Sequence, residues 1–156
     1  MLNAFYDWFI DRFLLAEGDL EQTRKVVAVQ SAKRGITPTQ VVWDLLDVID
    51  TKASALLTHI SLMATVVGLI LAGVADTGPE KIVVAVELSG YLFFALICLR
   101  CFSITREIDK ETDEAEYQNY IEIELSRRKA AYKFCHSGAQ LVTVVLILSV
   151  FVHVVV

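Results

Sequence analysis

From Gln40 to Ala75 the chain carries a small or polar residue at every third or fourth position. Asp44, Asp47, Thr51, Ser54, Thr58, Ser61, Thr65 and Gly68 are the heart of the series, which continues through Ala72. This spacing sets them along one edge of a helix. Two chemistries suit such an edge. Small residues let helix backbones approach closely, and serine or threonine hydroxyls bond across a helix pair. The other chemistry is a hydrated path lined by the hydroxyls, with Asp44 and Asp47 drawing cations to its mouth. A path enclosed in this way needs more helices than one copy supplies, so it implies a homo-oligomer.

Other reactive groups are fewer. Glu87 interrupts an apolar run, and snorkelling to the membrane interface is its first expected role. A paired or wet site, with a gating or proton-sensitive role, is the second. Cys98 and Cys101, with Cys135 and His136 later, resemble a zinc ligand set. Cys135 and His136 point about 100° apart on a helix, so a metal site is not expected and buried thiols are. His59, His136 and His153 are scattered and read as structural. Arg127, Arg128, Lys129 and Lys133 flank the last apolar run, where a topology signal and contact with anionic lipid explain them. Together with Arg106 and Lys110 they are also the candidate site for the phosphate of a small anionic ligand. The chain has no glycine-rich phosphate loop, serine–base pair or metalloprotease helix, so neither an enzyme nor a cofactor is expected.

These residues must be positioned by a membrane protein. The 156 residues are 55% hydrophobic, with a mean hydropathy of +0.54, more apolar than a soluble domain of this size. The excess lies in three runs, giving expected spans at about 53–75, 82–102 and 136–156. Each meets the roughly 20 residues a spanning helix needs. Of the 14 lysines and arginines, only Lys81 lies between the first two runs. The other thirteen fall in residues 1–52 and 100–135, which three spans put on one side. That side is expected to be the cytoplasm. The net charge of −5 argues against nucleic acid as a partner, and three cysteines facing cytoplasm and lipid argue against structural disulfides.

The expected fold is therefore all-α. Residues 1–36 form amphipathic and cytoplasmic helices, and residues 37–156 form a three-span domain with a helical cytoplasmic segment at 103–135. Residues 1–16, with Leu2, Tyr6, Phe9 and Phe13 on one edge, do not read as a secretory leader. They either lie in the membrane interface or pack on cytoplasmic neighbours. A second helix runs from Asp19 to Gly35. Thr37-Pro38-Thr39-Gln40 is a capping box that starts the first long helix. Pairs such as Glu124 with Arg128 support long helical extensions of spans two and three, joined near Asp113–Asn119.

Trp43-Asp44 through Asp50-Thr51-Lys52-Ala53-Ser54-Ala55-Leu56-Leu57 resembles the Pycsar-type transmembrane effector family, and SLATT-domain proteins more loosely. In these small bacterial membrane effectors an Asp-x-Lys-Ala-Ser stretch opens the first span. Glu124-Leu125, Arg127-Arg128-Lys129 and Tyr132-Lys133 fit the same pattern. The resemblance singles out Asp50, Lys52, Ala53 and Ser54. It implies an anti-phage effector of the inner membrane that disrupts the bilayer on a cyclic-nucleotide signal or through a cyclase partner. A membrane adaptor that recruits a cytoplasmic partner is the alternative.

Overall fold

The computed structural model describes residues 2–16, 18–73, 78–102 and 113–155. Helix α1 (Leu2–Phe9) widens into a π-turn at Ile10–Leu14, which the Leu15 N–H closes onto the Ile10 carbonyl at 2.9 Å. The expected single helix over residues 1–16 is thus two pieces. Gly18 and Gly35, both with positive φ, bracket α2 (Asp19–Arg34). Proline opens α3 (Pro38–Gly73), and the Thr37 hydroxyl accepts from the Gln40 N–H, so the expected cap forms. Helix α4 spans Gly78–Leu99 and tightens into a 3₁₀ turn at Arg100–Phe102. Helix α5 runs unbroken from Glu114 to Val155. Residues 114–119, expected to join the extensions of spans two and three, already belong to this helix.

The described residues contain no strand, and three helices are long and apolar enough to cross a membrane. At 36 and 42 residues, α3 and α5 are about 54 and 63 Å long, roughly twice what a bilayer core requires. Each therefore has an apolar half and a polar half. In the apolar half, Ala53, Leu56, Ile60 and Val67 of α3 pack with Tyr91 and Ile97 of α4 and Ala139 and Leu146 of α5. In the polar half, Val27 of α2, Val41, Val42 and Leu46 of α3, and Ile121 and Leu125 of α5 form a second core. Ile10 joins the first core and Val27 the second, so residues 1–36 share both with the rest of the chain.

The apolar half turns hydrophobic residues outward as well as inward. Leu62, Leu69, Ile82, Val86, Leu141 and Leu148 are all exposed. Only 17–28% of each apolar window is buried within the chain. An apolar surface of this extent marks a face that meets a membrane or another protein, and is compatible with a multi-pass membrane protein.

Candidate functional site

Four groups of functional side chains occupy different faces of the three long helices. The first is an ion network where the polar and apolar halves meet. Arg100, at the end of α4, has a side chain only 2% exposed and donates to Asp7 of α1 at 2.7 Å and to Glu124 of α5 at 3.0 Å. Glu124 also accepts from Arg128 one turn along its own helix, the expected i,i+4 pair, at 2.9 Å. Arg128 reaches across to Asp50 of α3 at 2.9 Å. Arg127 donates to Asp11 in the π-turn. Three guanidiniums thus bind four carboxylates from α1, the π-turn, α3 and α5.

Electrostatics follow from this arrangement. Burial pushes the Glu124 carboxyl up, but the hydrogen bonds and charges of Arg100 and Arg128 outweigh it and hold the group below the usual carboxylate range. The hydrogen bond with Asp11 raises Arg127, against the opposing effect of burial. Arg127 and Arg128, expected as phosphate ligands, are therefore engaged by carboxylates here. Lys129 is half-buried and Lys133 exposed, while Arg106 and Lys110 lie outside the described residues. Beyond the network, Arg24 and Gln118 converge on Glu122 at 3.1 and 2.6 Å, tying α2 to α5.

The second group is a file of polar side chains along the α4–α5 seam. Thr143 donates to the Ala139 carbonyl at 2.8 Å, which leaves its oxygen to accept from the Tyr91 hydroxyl at 2.8 Å. Glu87 is 5% exposed and its Oε1 accepts from Ser149 at 3.0 Å. The snorkelling expected of Glu87 is corrected: this carboxyl faces α5, where a serine donor meets it. Its Oε2 has no partner among the described residues. Nearer the network, Cys98, Cys101 and Cys135 are buried free thiols. Cys98 bonds the Ala53 carbonyl of α3 at 3.4 Å, and Cys135 the Phe94 carbonyl at 3.5 Å. Cys135 turns inward and His136 outward, and among the described residues no three His, Cys, Asp or Glu side chains are grouped to hold a metal.

The third group is the α3 stripe. Its members Gln40, Asp44, Asp47, Thr51, Ser54, Thr58, Ser61, Thr65 and Ala72 are all exposed, and Gly68 is half-buried. At 100° per residue the stripe lies roughly 150° around α3 from the edge of Ala53, Leu56, Ile60 and Val67 that meets α4 and α5. Within one chain, then, the hydroxyls of the stripe stay on the exposed side of α3. Thr58 and Thr65 return their hydroxyls to the carbonyls of Ser54 and Ser61 at 3.0 and 2.9 Å. Ser54 and Ser61 hydroxyls make no hydrogen bond among the described residues. Asp44 pairs with Arg34 at 2.8 Å, whereas Asp47 has no ion pair there.

The fourth group was not expected. Between α3 and α5 lies a groove of about 620 Å³, within the range small ligands occupy. Lys52 and His59 line one wall, and Tyr132, His136 and Gln140 line the other. The sequence signal was present: 52, 55 and 59 share a face of α3, and 132, 136, 140 and 143 share one of α5. The motif residues diverge across these sites. Asp50 enters the network, Lys52 the groove, Ala53 the core and Ser54 the stripe. No family model, curated protein or solved structure matches this chain.

Proposed function

We propose that this chain is a multi-pass protein of the bacterial inner membrane that self-associates through the outer face of α3 and permeabilises the bilayer. Its N-terminus lies in the cytoplasm, since thirteen of fourteen lysines and arginines fall on that side. The observation that carries the reading is the exposure of the whole hydroxyl stripe on the face turned away from its own core. Tyr91, Thr143 and Ser149 in the apolar half have partners across the α4–α5 seam, but the Ser54 and Ser61 hydroxyls are left for a neighbour. Copies gathered around a shared axis bring several stripes together, with Asp47 at the entrance.

The Asp-x-Lys-Ala-Ser resemblance supplies the context of anti-phage defence and a cyclic-nucleotide or cyclase signal. A phosphate-bearing ligand has a physical route to act on this fold. By competing with Asp11 and Asp50 for Arg127 and Arg128, it loosens the π-turn and α3 from α5. Such a ligand shifts the assembly only if it binds the loosened state more tightly than the latched one. The experiment is dye leakage from proteoliposomes challenged with a panel of cyclic mono- and oligonucleotides. Leakage with one nucleotide, lost in Thr58→Leu and Ser61→Leu at equal insertion, supports the reading. Leakage unchanged in both variants overturns the role of the stripe.

A second reading has one observation in its favour. Thr58 and Thr65 satisfy their own hydroxyls along the helix, as suits a face that meets lipid. On that reading the protein is a non-conducting adaptor whose polar half recruits a partner, and no nucleotide produces leakage.

A further inference from the structure

We propose that the groove between α3 and α5 binds one anionic phospholipid, its phosphate on Lys52 and an acyl chain descending past Val144. The inference goes beyond the effector reading and rests only on the part of it that sets the three helices across a bilayer. Helices α3 and α5 run parallel, as the contacts of Thr39 with Gln118 and Asp50 with Arg128 require. Both groove walls therefore pass from the polar half to the apolar half in the same order.

That order matches a phospholipid from headgroup to tail. Lys52 precedes the uncharged run of α3 by one residue, and Tyr132 stands at the same level of α5. Below them His136, His59 and Gln140 offer N–H donors spread over roughly 6–12 Å of the helix rise, the stretch in which glycerol and ester oxygens would lie. Lower still, the groove ends beside exposed Val144, while buried Leu56, one turn from Lys52, belongs to its upper floor. From Tyr132 to Val144 the wall extends about 18 Å, which spans the headgroup layer and reaches well into hydrocarbon. The Tyr132 and His136 rings stack at 5.8 Å and 13°, giving the upper wall a flat aromatic side suited to the interface.

Charge selects the headgroup. Lys52 makes no ion pair among the described residues, and no carboxylate lines the groove. The nearest acid along the chain, Asp50, is held by Arg128 at 2.9 Å. A lysine at the membrane surface without an acidic partner attracts anionic lipid. The groove face is also about a third of a turn around α3 from the stripe, so an assembly through the stripe leaves it open.

The test is native mass spectrometry of the full chain, purified in mild detergent and exposed to equal amounts of phosphatidylglycerol and phosphatidylcholine. One phosphatidylglycerol retained per chain, at a roughly fivefold preference, is the expected result for one lysine. Lys52→Gln should bring the preference close to unity, and Lys52→Arg should keep it, which separates lost charge from misfolding. Gln140→Leu should weaken retention of both lipids while leaving the preference. Equal retention by the unaltered chain overturns the proposal, as does an unchanged preference in Lys52→Gln. Displacement by millimolar glycerol phosphate would assign the groove to a soluble phosphate instead. Cross-linking of two Val144→Cys chains with loss of lipid would assign it to a second copy. Leakage plays no part in the readout: a chain that keeps its lipid but never leaks overturns the effector reading alone, and one that leaks without lipid preference overturns this proposal alone.

Discussion

Two polar tracks run along the apolar half of this molecule, and they meet opposite surroundings. Along the α4–α5 seam, Tyr91 faces Thr143, Glu87 faces Ser149, and the thiols of Cys98 and Cys135 meet carbonyls of neighbouring helices. Along the outer edge of α3, hydroxyls at the same helical spacing face away from every other helix of the chain. The seam is largely finished within one copy, because Tyr91, Thr143, Ser149 and one Glu87 oxygen have partners across the interface, while Glu87 Oε2 has none among the described residues. The stripe is unfinished, or finished only by its own backbone. Stability should therefore depend on the seam and the network above it, and assembly on the stripe.

The network offers the largest effect. Glu124 bridges Arg100 and Arg128, and both of those side chains are at most 5% exposed. Glu124→Leu removes the carboxylate shared by two buried guanidiniums, which keep Asp7 and Asp50, and breaking buried pairs costs up to about 3–5 kcal/mol. Thermal unfolding in mild detergent should show it as a large drop in midpoint. The same carboxylate gives the fold an acid limit. Because its folded value lies below the usual range, the stability it adds is present above the unfolded value of about 4.3 and is lost as pH falls through the folded one. The midpoint should stay level above about pH 5 and fall below it, and Glu124→Leu should flatten that fall. A level midpoint down to strong acid would mean the network adds little.

Within the seam a smaller effect is expected at Gly138. A Cβ there runs into the Phe94 ring, which is boxed by Phe93 and Phe134 at centroid distances of 5.5 and 5.6 Å. Gly138→Ala should cost about 1–3 kcal/mol as an overpacked contact. Gly90 is the control on the facing helix, since a Cβ there meets Val142 at 3.4 Å, an ordinary contact. Gly90→Ala should be neutral or mildly stabilising through helix propensity. Equal losses at both positions would show that the seam is not tightly packed at Phe94.

What was legible in the sequence is what local spacing encodes. The three apolar runs, the Thr37 cap, the Gly35 stop and the Glu124–Arg128 pair all rest on contacts a few residues apart. Partners far apart in the chain were not legible. Arg100 meets Asp7 across 93 positions, and Ser149 meets Glu87 across 62. No local pattern distinguishes a paired glutamate from a snorkelling one. For the same reason Arg127 and Arg128 read as candidate phosphate ligands, because Asp7, Asp11 and Asp50, which bind them from α1, the π-turn and α3, lie far away in the chain. The stripe was visible as a helical edge, but the edge alone did not reveal which way it faced. That needed the opposing edge, Ala53 to Val67, to be placed against α4 and α5.

The stripe should give the smallest change in stability and the clearest change in assembly. Ser61 is exposed and its hydroxyl makes no hydrogen bond among the described residues, so Ser61→Leu removes no contact within the chain. Its effect on the unfolding midpoint should stay within about 0.5 kcal/mol. If copies meet through this face, the bulk of leucine separates backbones that small residues allow to approach. Cross-linking in vesicles should then lose its higher-order species while the monomer remains folded. Thr58→Leu should behave alike, with the added loss of a hydroxyl that only its own helix uses. A large drop in midpoint with assembly intact would reverse the assignment, making the stripe a packing surface and leaving the seam as the place to look for a pathway.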